Sequence, residues 1–299
     1  MAEMMSTPSL SDEENHKPSE RKDWRESYYF NFVDLENMVS GFTTIGLYPN
    51  LSRREFVFAV FHDGERHLYH QEHDSPFSLE TLECLDDGRL RFQLVEALKS
   101  WRIVFSGPGL EAEILWAGRF PAFSFGRGSG TSWEGHFEQS GRVSGVIRIR
   151  GVEKNIQGYG QRDKSWGPRH WHIDHWYAFH AQFRDFSIGL RMDSVKGVKT
   201  VSGGVSTAGG SIPVSNVEVE TEYGGDQCTP SGAATRITCL DGKEYVVRSK
   251  PLSPSSFVKF TRRFQGGVTE LVEAMALHRL EEDGETGTGL LEWLFTRFS

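Results

Sequence analysis

Excess positive charge is the first thing this sequence lacks. Lys and Arg total 33 against 41 Asp and Glu, a net charge of −8, and no basic run interrupts the balance. Surfaces that neutralise phosphate backbones or anionic lipid carry clustered cations, so neither nucleic acid nor a membrane surface is an expected partner. Long apolar runs are missing too. No stretch approaches the roughly 18 apolar residues of a spanning helix, and residues 1–23 contain no apolar segment of the kind that opens a secretory signal. The expectation is a soluble, cytoplasmic protein. Cysteine is scarce. Cys84, Cys228 and Cys239 form no C-x-x-C pair, which argues against a disulfide framework or a zinc knuckle.

Familiar catalytic motifs are absent as well. The chain has no G-x-S-x-G, no H-E-x-x-H and no P-loop. Residues 19–22 match S-x-x-K only inside a polar tail, and Asn50-Leu51-Ser52 is a glycosylation sequon without a secretory context. Residues 123–130 are glycine-rich but lack the strand before and helix after that a dinucleotide site requires. No cofactor is expected.

What is present is glycine and aromatic side chain: 32 Gly, 21 Phe, 8 Trp and 8 Tyr. That mixture fits many short strands separated by turns. Asp-Gly pairs at Asp63-Gly64, Asp87-Gly88, Asp241-Gly242 and Asp283-Gly284 sit between β-type runs, a strong hairpin signal. The flanking runs include residues 56–61, 79–85 and 90–94. Residues 143–150 and 176–183 are partly alternating and β-rich. Residues 90–100 are the one candidate for a short helix. The pattern predicts an all-β chain: a disordered tail over 1–23, a domain over 24–157 and a second over 158–299. Antiparallel barrels of about eight strands can each hold one small ligand.

Chemistry-bearing residues concentrate in Gly158-Tyr159-Gly160-Gln161-Arg162-Asp163-Lys164-Ser165-Trp166-Gly167-Pro168-Arg169. In a functional setting Asp163 lies at a pocket mouth beside the Trp166 indole. Burial there would keep its carboxyl protonated, ready to protonate an alkene or enol, with the indole face stabilising the resulting cation. In a structural setting the same residues are a corner, with Arg162 paired to Asp163, the glycines turning the chain and Trp166 filling the core. Lys164 reads as exposed. His136 and Glu138 alternate along a strand and offer either an acid–base pair or an outward polar pair. His170, His172 and Asp174 would share one strand face and offer metal ligands, although no second cluster at ligand spacing supports them. His67, His70 and His73 read as solvated.

Residues 158–169 resemble the G-x-G-x-R-D-H-S-W-G-x-R signature of the lipocalin-like superfamily. That superfamily includes carotenoid 1,2-hydratases (hydroxyneurosporene synthases), AttH-like proteins and tocopherol-cyclase-like relatives. Glu26-Ser27-Tyr28-Tyr29-Phe30 is similar to the E-W-W-Y element near its start, and His136-Phe137-Glu138-Gln139 falls where a related pattern occurs. The resemblance spans most of residues 24–299 and implies two consecutive lipocalin-like β-barrels with an apolar pocket near their junction. It also implies cofactor-free chemistry on an isoprenoid, steroid or polyketide: hydration or dehydration, isomerisation, or cyclisation. Asp163 and Trp166 carry over from the signature as the implied catalytic pair, and His136 and Glu138 are the next catalytic candidates. Lys164, Tyr177, His180 and Arg162 are the candidate substrate contacts read from the residues themselves, Lys164 either orienting Asp163 or pairing with an anionic substrate group. The family His after the signature Asp is Lys164 here. An ammonium of pKa about 10 is a poor acid, which favours a reactive precursor held in a productive conformer. The opposing expectation is a carrier that binds a hydrophobic ligand without turning it over.

Overall fold

In a computed structural model, which describes residues 5–126, 133–171, 173–225 and 229–298, the chain divides into two units. One comprises Ser6–Arg169, the other His170–Ser299 together with Met5.

The first unit is built from β1 (Trp24–Asp34), β2 (Val39–Tyr48), β3 (Arg53–His62), β4 (Glu65–Asp74), β5 (Leu90–Glu96), β6 (Ser100–Gly107), β7 (Leu110–Gly118), β8 (Phe123–Ser124), β9 (Gly135–Ile149) and β10 (Val152–Pro168). All pairings are antiparallel, in the order β4-β3-β2-β1-β10-β9-β7-β6-β5, with β8 on β9, and the sheet curls into a half-barrel. Aromatic and β-branched residues dominate the interior strands, as a pleated, packed surface favours. Phe30, Phe56, Phe58, Trp101, Trp116 and Ile147 anchor the core. The β3–β4 hairpin turns on Asp63 and Gly64, both at positive φ (50° and 76°), the conformation that a tight two-residue turn needs.

The second unit contains β11 (His175–Gln182), β12 (Ser187–Val195), β13 (Val198–Thr207), β14 (Gly210–Tyr223), β15 (Pro230–Cys239), β16 (Glu244–Pro251), β17 (Phe257–Phe264), β18 (Gly267–Leu280) and β19 (Thr286–Phe298). Here β16 pairs with the C-terminal half of β18 and closes an eight-stranded barrel, while β17 pairs with the other half. Phe179, Leu190, Ile237, Val247 and Leu291 fill it. The architecture is two lipocalin-like antiparallel β units in succession.

Several expectations need correction. β10 runs unbroken through the signature and pairs along its length with β1 and β9, so the division falls after Arg169 rather than before Gly158. Gly158 and Gly160 are not turn residues. A Cβ on either would lie 1.9 Å from a β1 carbonyl oxygen, that of Val33 or Asn31, so they let two strands approach closely. Residues 90–100 are β5 and the start of β6, not a helix. Residues 79–85 hold a 3-10 turn, Leu82–Leu85, in place of a strand. The tail is not free of the fold. Leu10–Glu13 forms a 3-10 turn with Glu13 fully buried, because this glutamate meets an internal arginine.

Candidate functional site

Alternation along β10 separates the signature into two sets. Arg162, Lys164 and Trp166 face the core. Gln161, Asp163 and Ser165 face the other way. The register carries both sets across the sheet: Asp163 lies opposite Glu138 on β9 and Tyr29 on β1, and Ser165 lies opposite His136. Asp163 and Trp166, three residues apart, therefore cannot share a pocket. The expected pairing of acid and indole does not form.

The core-facing set holds the N-terminal segment. Arg162 donates from both terminal nitrogens to the Glu13 carboxylate, at 2.8 and 2.7 Å, and from Nε to Gln139 Oε1 at 3.0 Å. Its guanidinium lies over the rings of Trp116 and Phe137. Lys164 is buried, not exposed. Its Nζ bonds to Glu26 and sits 4.2 Å from the Tyr28 ring centroid. Burial pushes its pKa well below the ordinary lysine value, with Glu13 and Asp12 pulling it back up. The His16 ring stacks on Trp166 at 3.7 Å, and its Nδ1 lies 2.9 Å from Glu26 Oε1. Burial first, then Lys164, lowers the His16 pKa to about 4. Arg162 and Lys164 are thus each engaged by a carboxylate of the chain itself.

The opposite face gathers three titratable groups. His136 Nε2 lies 3.3 Å from Asp163 Oδ2 and 3.7 Å from Glu138 Oε1. Glu138 Oε2 accepts from Gln161 Nε2 at 2.8 Å. The imidazole packs against Phe125 and Trp133, with centroids at 4.3 and 4.7 Å. The Trp133 Nε1 donates to the Gly126 carbonyl at 3.0 Å, and the Phe125 N–H donates to the His136 carbonyl. These contacts fix the aromatic wall on the imidazole. His136 and Glu138 are almost fully buried, whereas the Asp163 side chain keeps 27% of its surface. Neither His136 ring nitrogen has a hydrogen-bond partner among the described residues. The cluster can accept, hold and release a proton, with Asp163 as its exposed end.

A glycine precedes His136 for a packing reason. A Cβ at Gly135 would stand 2.1 Å from the Trp166 ring, so Gly135 makes room for the indole on β10.

The remaining expected residues lie elsewhere. Tyr177 points into the second barrel, where its hydroxyl lies 2.8 Å from Thr235 Oγ1. His180, of opposite parity on β11, is on the other face of that strand. Residues 169–174 are not strand among the described residues, so His170 and Asp174 gain no common face, and His172 lies outside the described residues. His136, Glu138 and Asp163 each offer a ligand atom within 4.8 Å of the others, and so do Glu55, His70 and Glu72. Sequence reasoning missed Gln161, Phe125, Trp133 and Glu13. Gln161 was findable by parity with Asp163. The others carry no local signal, because their partners are distant in sequence.

Fold and site together define a chain of lipocalin-like fold with a buried His–carboxylate cluster. The chain belongs to the family described as a domain of unknown function, DUF7064, whose pattern matches residues 9–297. No curated protein matches the sequence. Among solved structures, a protein of Nitrosomonas europaea assigned to AttH is similar over 95% of both chains, at TM-score 0.68 and 16% identity. Kievitone hydratase from Nectria haematococca is similar over 98% of this chain and 97% of its own, at TM-score 0.66 and 12% identity. CghA, in a structure with Sch210972, is similar over 91% of this chain and 88% of its own, at TM-score 0.65 and 12% identity. No helix among the described residues is long and apolar enough to cross a membrane.

Proposed function

We propose that the protein is an enzyme that moves protons on a hydrophobic small molecule of isoprenoid, steroid or polyketide type without a cofactor, and that His136, Glu138 and Asp163 carry the reaction. The single observation behind this reading is the arrangement of His136 Nε2 within 3.3 and 3.7 Å of two carboxylates, only one of which reaches solvent. The shared fold with a protein named as a hydratase, and with one crystallised with Sch210972, favours the same class.

In the dehydration direction the Asp163 carboxyl protonates a leaving hydroxyl. The C–O bond breaks with its electron pair going to oxygen, and water departs. The adjacent C–H proton passes to the Asp163 carboxylate and restores the acid. His136 stands behind Asp163 as the second proton store, its ring held in place by packing on Phe125 and Trp133, and Glu138, held by Gln161, lies beside it. Hydration is the reverse. Isomerisation or cyclisation uses the same first protonation at carbon.

The test incubates wild-type and Asp163→Asn protein with apolar metabolite extracts in heavy water, followed by mass spectrometry. Wild type is expected to give products shifted by the mass of water or labelled with deuterium. Asp163→Asn is expected to lose at least about a hundredfold of that rate, with unchanged thermal melting. Full activity in Asp163→Asn overturns the assignment, and recovery of unchanged, unlabelled ligand identifies a carrier instead.

A further inference from the structure

The second barrel contains a cavity of about 540 Å³ that the His136 cluster does not use. Every residue bounding it belongs to the second unit. Its size is that of a small-molecule site. Tyr177, Met192, Val219, Trp293 and Phe295 form an apolar wall. Three of these are neighbours in register, Tyr177 lying opposite both Met192 and Trp293. The Tyr177 hydroxyl is already engaged by Thr235, so this residue presents ring rather than acid.

Charged residues line the cavity as well. Glu270 is matched by two cations, Arg297 and Lys259, the latter at 2.6 Å. Asp174 Oδ2 accepts the Gly197 N–H at 2.9 Å. Lys199 lines the same cavity, is exposed, and has no ion pair among the described residues. It shares a barrel face with Met192, because Ser194 pairs with Lys199 and Met192 with Val201. An exposed ammonium therefore lines the cavity along with its apolar wall, and the lining carboxylates are already engaged. A ligand with an apolar body and a single negative charge satisfies both parts at once.

We propose that the second barrel binds an amphipathic carboxylate, its chain against Tyr177, Met192 and Trp293 and its head group at Lys199. The site is separate from the proposed proton-transfer cluster, and it stands whether or not that cluster is catalytic.

Isothermal titration of the full-length protein with sodium decanoate and with 1-decanol tests this. Decanoate is expected to bind once per chain and about tenfold more tightly than the alcohol. Lys199→Glu, a change at an exposed position, is expected to erase the preference while leaving decanol binding in place. Val219→Trp, which fills the cavity, is expected to abolish both, with thermal melting used to verify its fold. Absence of saturable one-to-one binding overturns the proposal. So does a decanoate preference that survives Lys199→Glu, or binding undiminished in folded Val219→Trp.

Discussion

Arg162 and Glu13, 149 residues apart in sequence, form a two-point ion pair in the buried interior of the first unit. The pair is completed by Gln139 on the guanidinium Nε and by the Leu98 N–H on Glu13 at 2.6 Å. Full hydrogen bonding of this kind is what allows two charges to remain away from water. The signature arginine thus anchors the N-terminal segment against β10, with the stacked His16 and Trp166 as a second point of attachment.

Truncating one partner leaves the other charge buried and unmatched. Glu13→Ala is expected to lower unfolding stability by about 3–5 kcal/mol. The double variant Glu13→Leu with Arg162→Met is expected to recover part of that loss, because an apolar pair leaves no stranded charge. Urea denaturation of the three proteins measures it. Equal stability of Glu13→Ala and wild type would remove the buried pair from the account.

The contact between Gly135 and Trp166 predicts a steric effect. Gly135→Ala forces the indole to move, at roughly 1–3 kcal/mol for an overpacked site. The displaced ring also loses its stack on His16. Near-ultraviolet circular dichroism should change, and the melting temperature should fall. An unaltered spectrum would mean that the strand absorbs the methyl group without moving Trp166.

His278 predicts a pH dependence. Burial in the second barrel pushes its pKa down to about 3, and its Nδ1 lies 2.8 Å from Ser249 Oγ. The folded protein keeps this ring neutral, whereas the unfolded chain protonates it below its ordinary pKa of 6.5. The contribution to stability is therefore complete above pH 6.5 and is lost progressively as the pH falls toward 3. The slope is about 1.4 kcal/mol per pH unit inside that window. His16, lowered to about 4, acts in the same direction. Stability measured at pH 7.5 and 5 should fall less in His278→Gln than in wild type. Parallel losses in the two proteins would contradict the buried neutral imidazole.

The spacing of His136, Glu138 and Asp163 also suits a metal ion, so chelation separates two chemistries. Under the proposed acid–base reaction, protein dialysed against EDTA is expected to keep its turnover and to carry less than one equivalent of any transition metal. Loss of activity on chelation, restored by one added divalent ion, would reassign the cluster to a metal centre.

Much of the fold was legible in particular residues. Asp63-Gly64, Asp241-Gly242 and Asp283-Gly284 lie in connections between paired strands, because the backbone of such turns is set by its own residues. The run from Phe56 to Phe61 lies within β3, as its β-branched and aromatic residues led one to expect. His136 and Glu138 on one face also followed from strand alternation alone. The residues 158–169 were legible as dense but not as divided. Their parity puts Asp163 and Trp166 on opposite faces once the segment is known to be a single strand, and the two glycines hid that fact by mimicking a turn.

The sequence by itself determined the class of secondary structure, three of the four Asp-Gly hairpin positions and the identity of the chemistry-bearing segment, since each depends on near neighbours. Only the tertiary structure decided the partners. Arg162 meets Glu13 rather than Asp163, Lys164 is buried against Glu26, and Asp163 joins His136. These contacts bring together positions far apart along the chain, and what selects them is strand register and the need to match every buried charge.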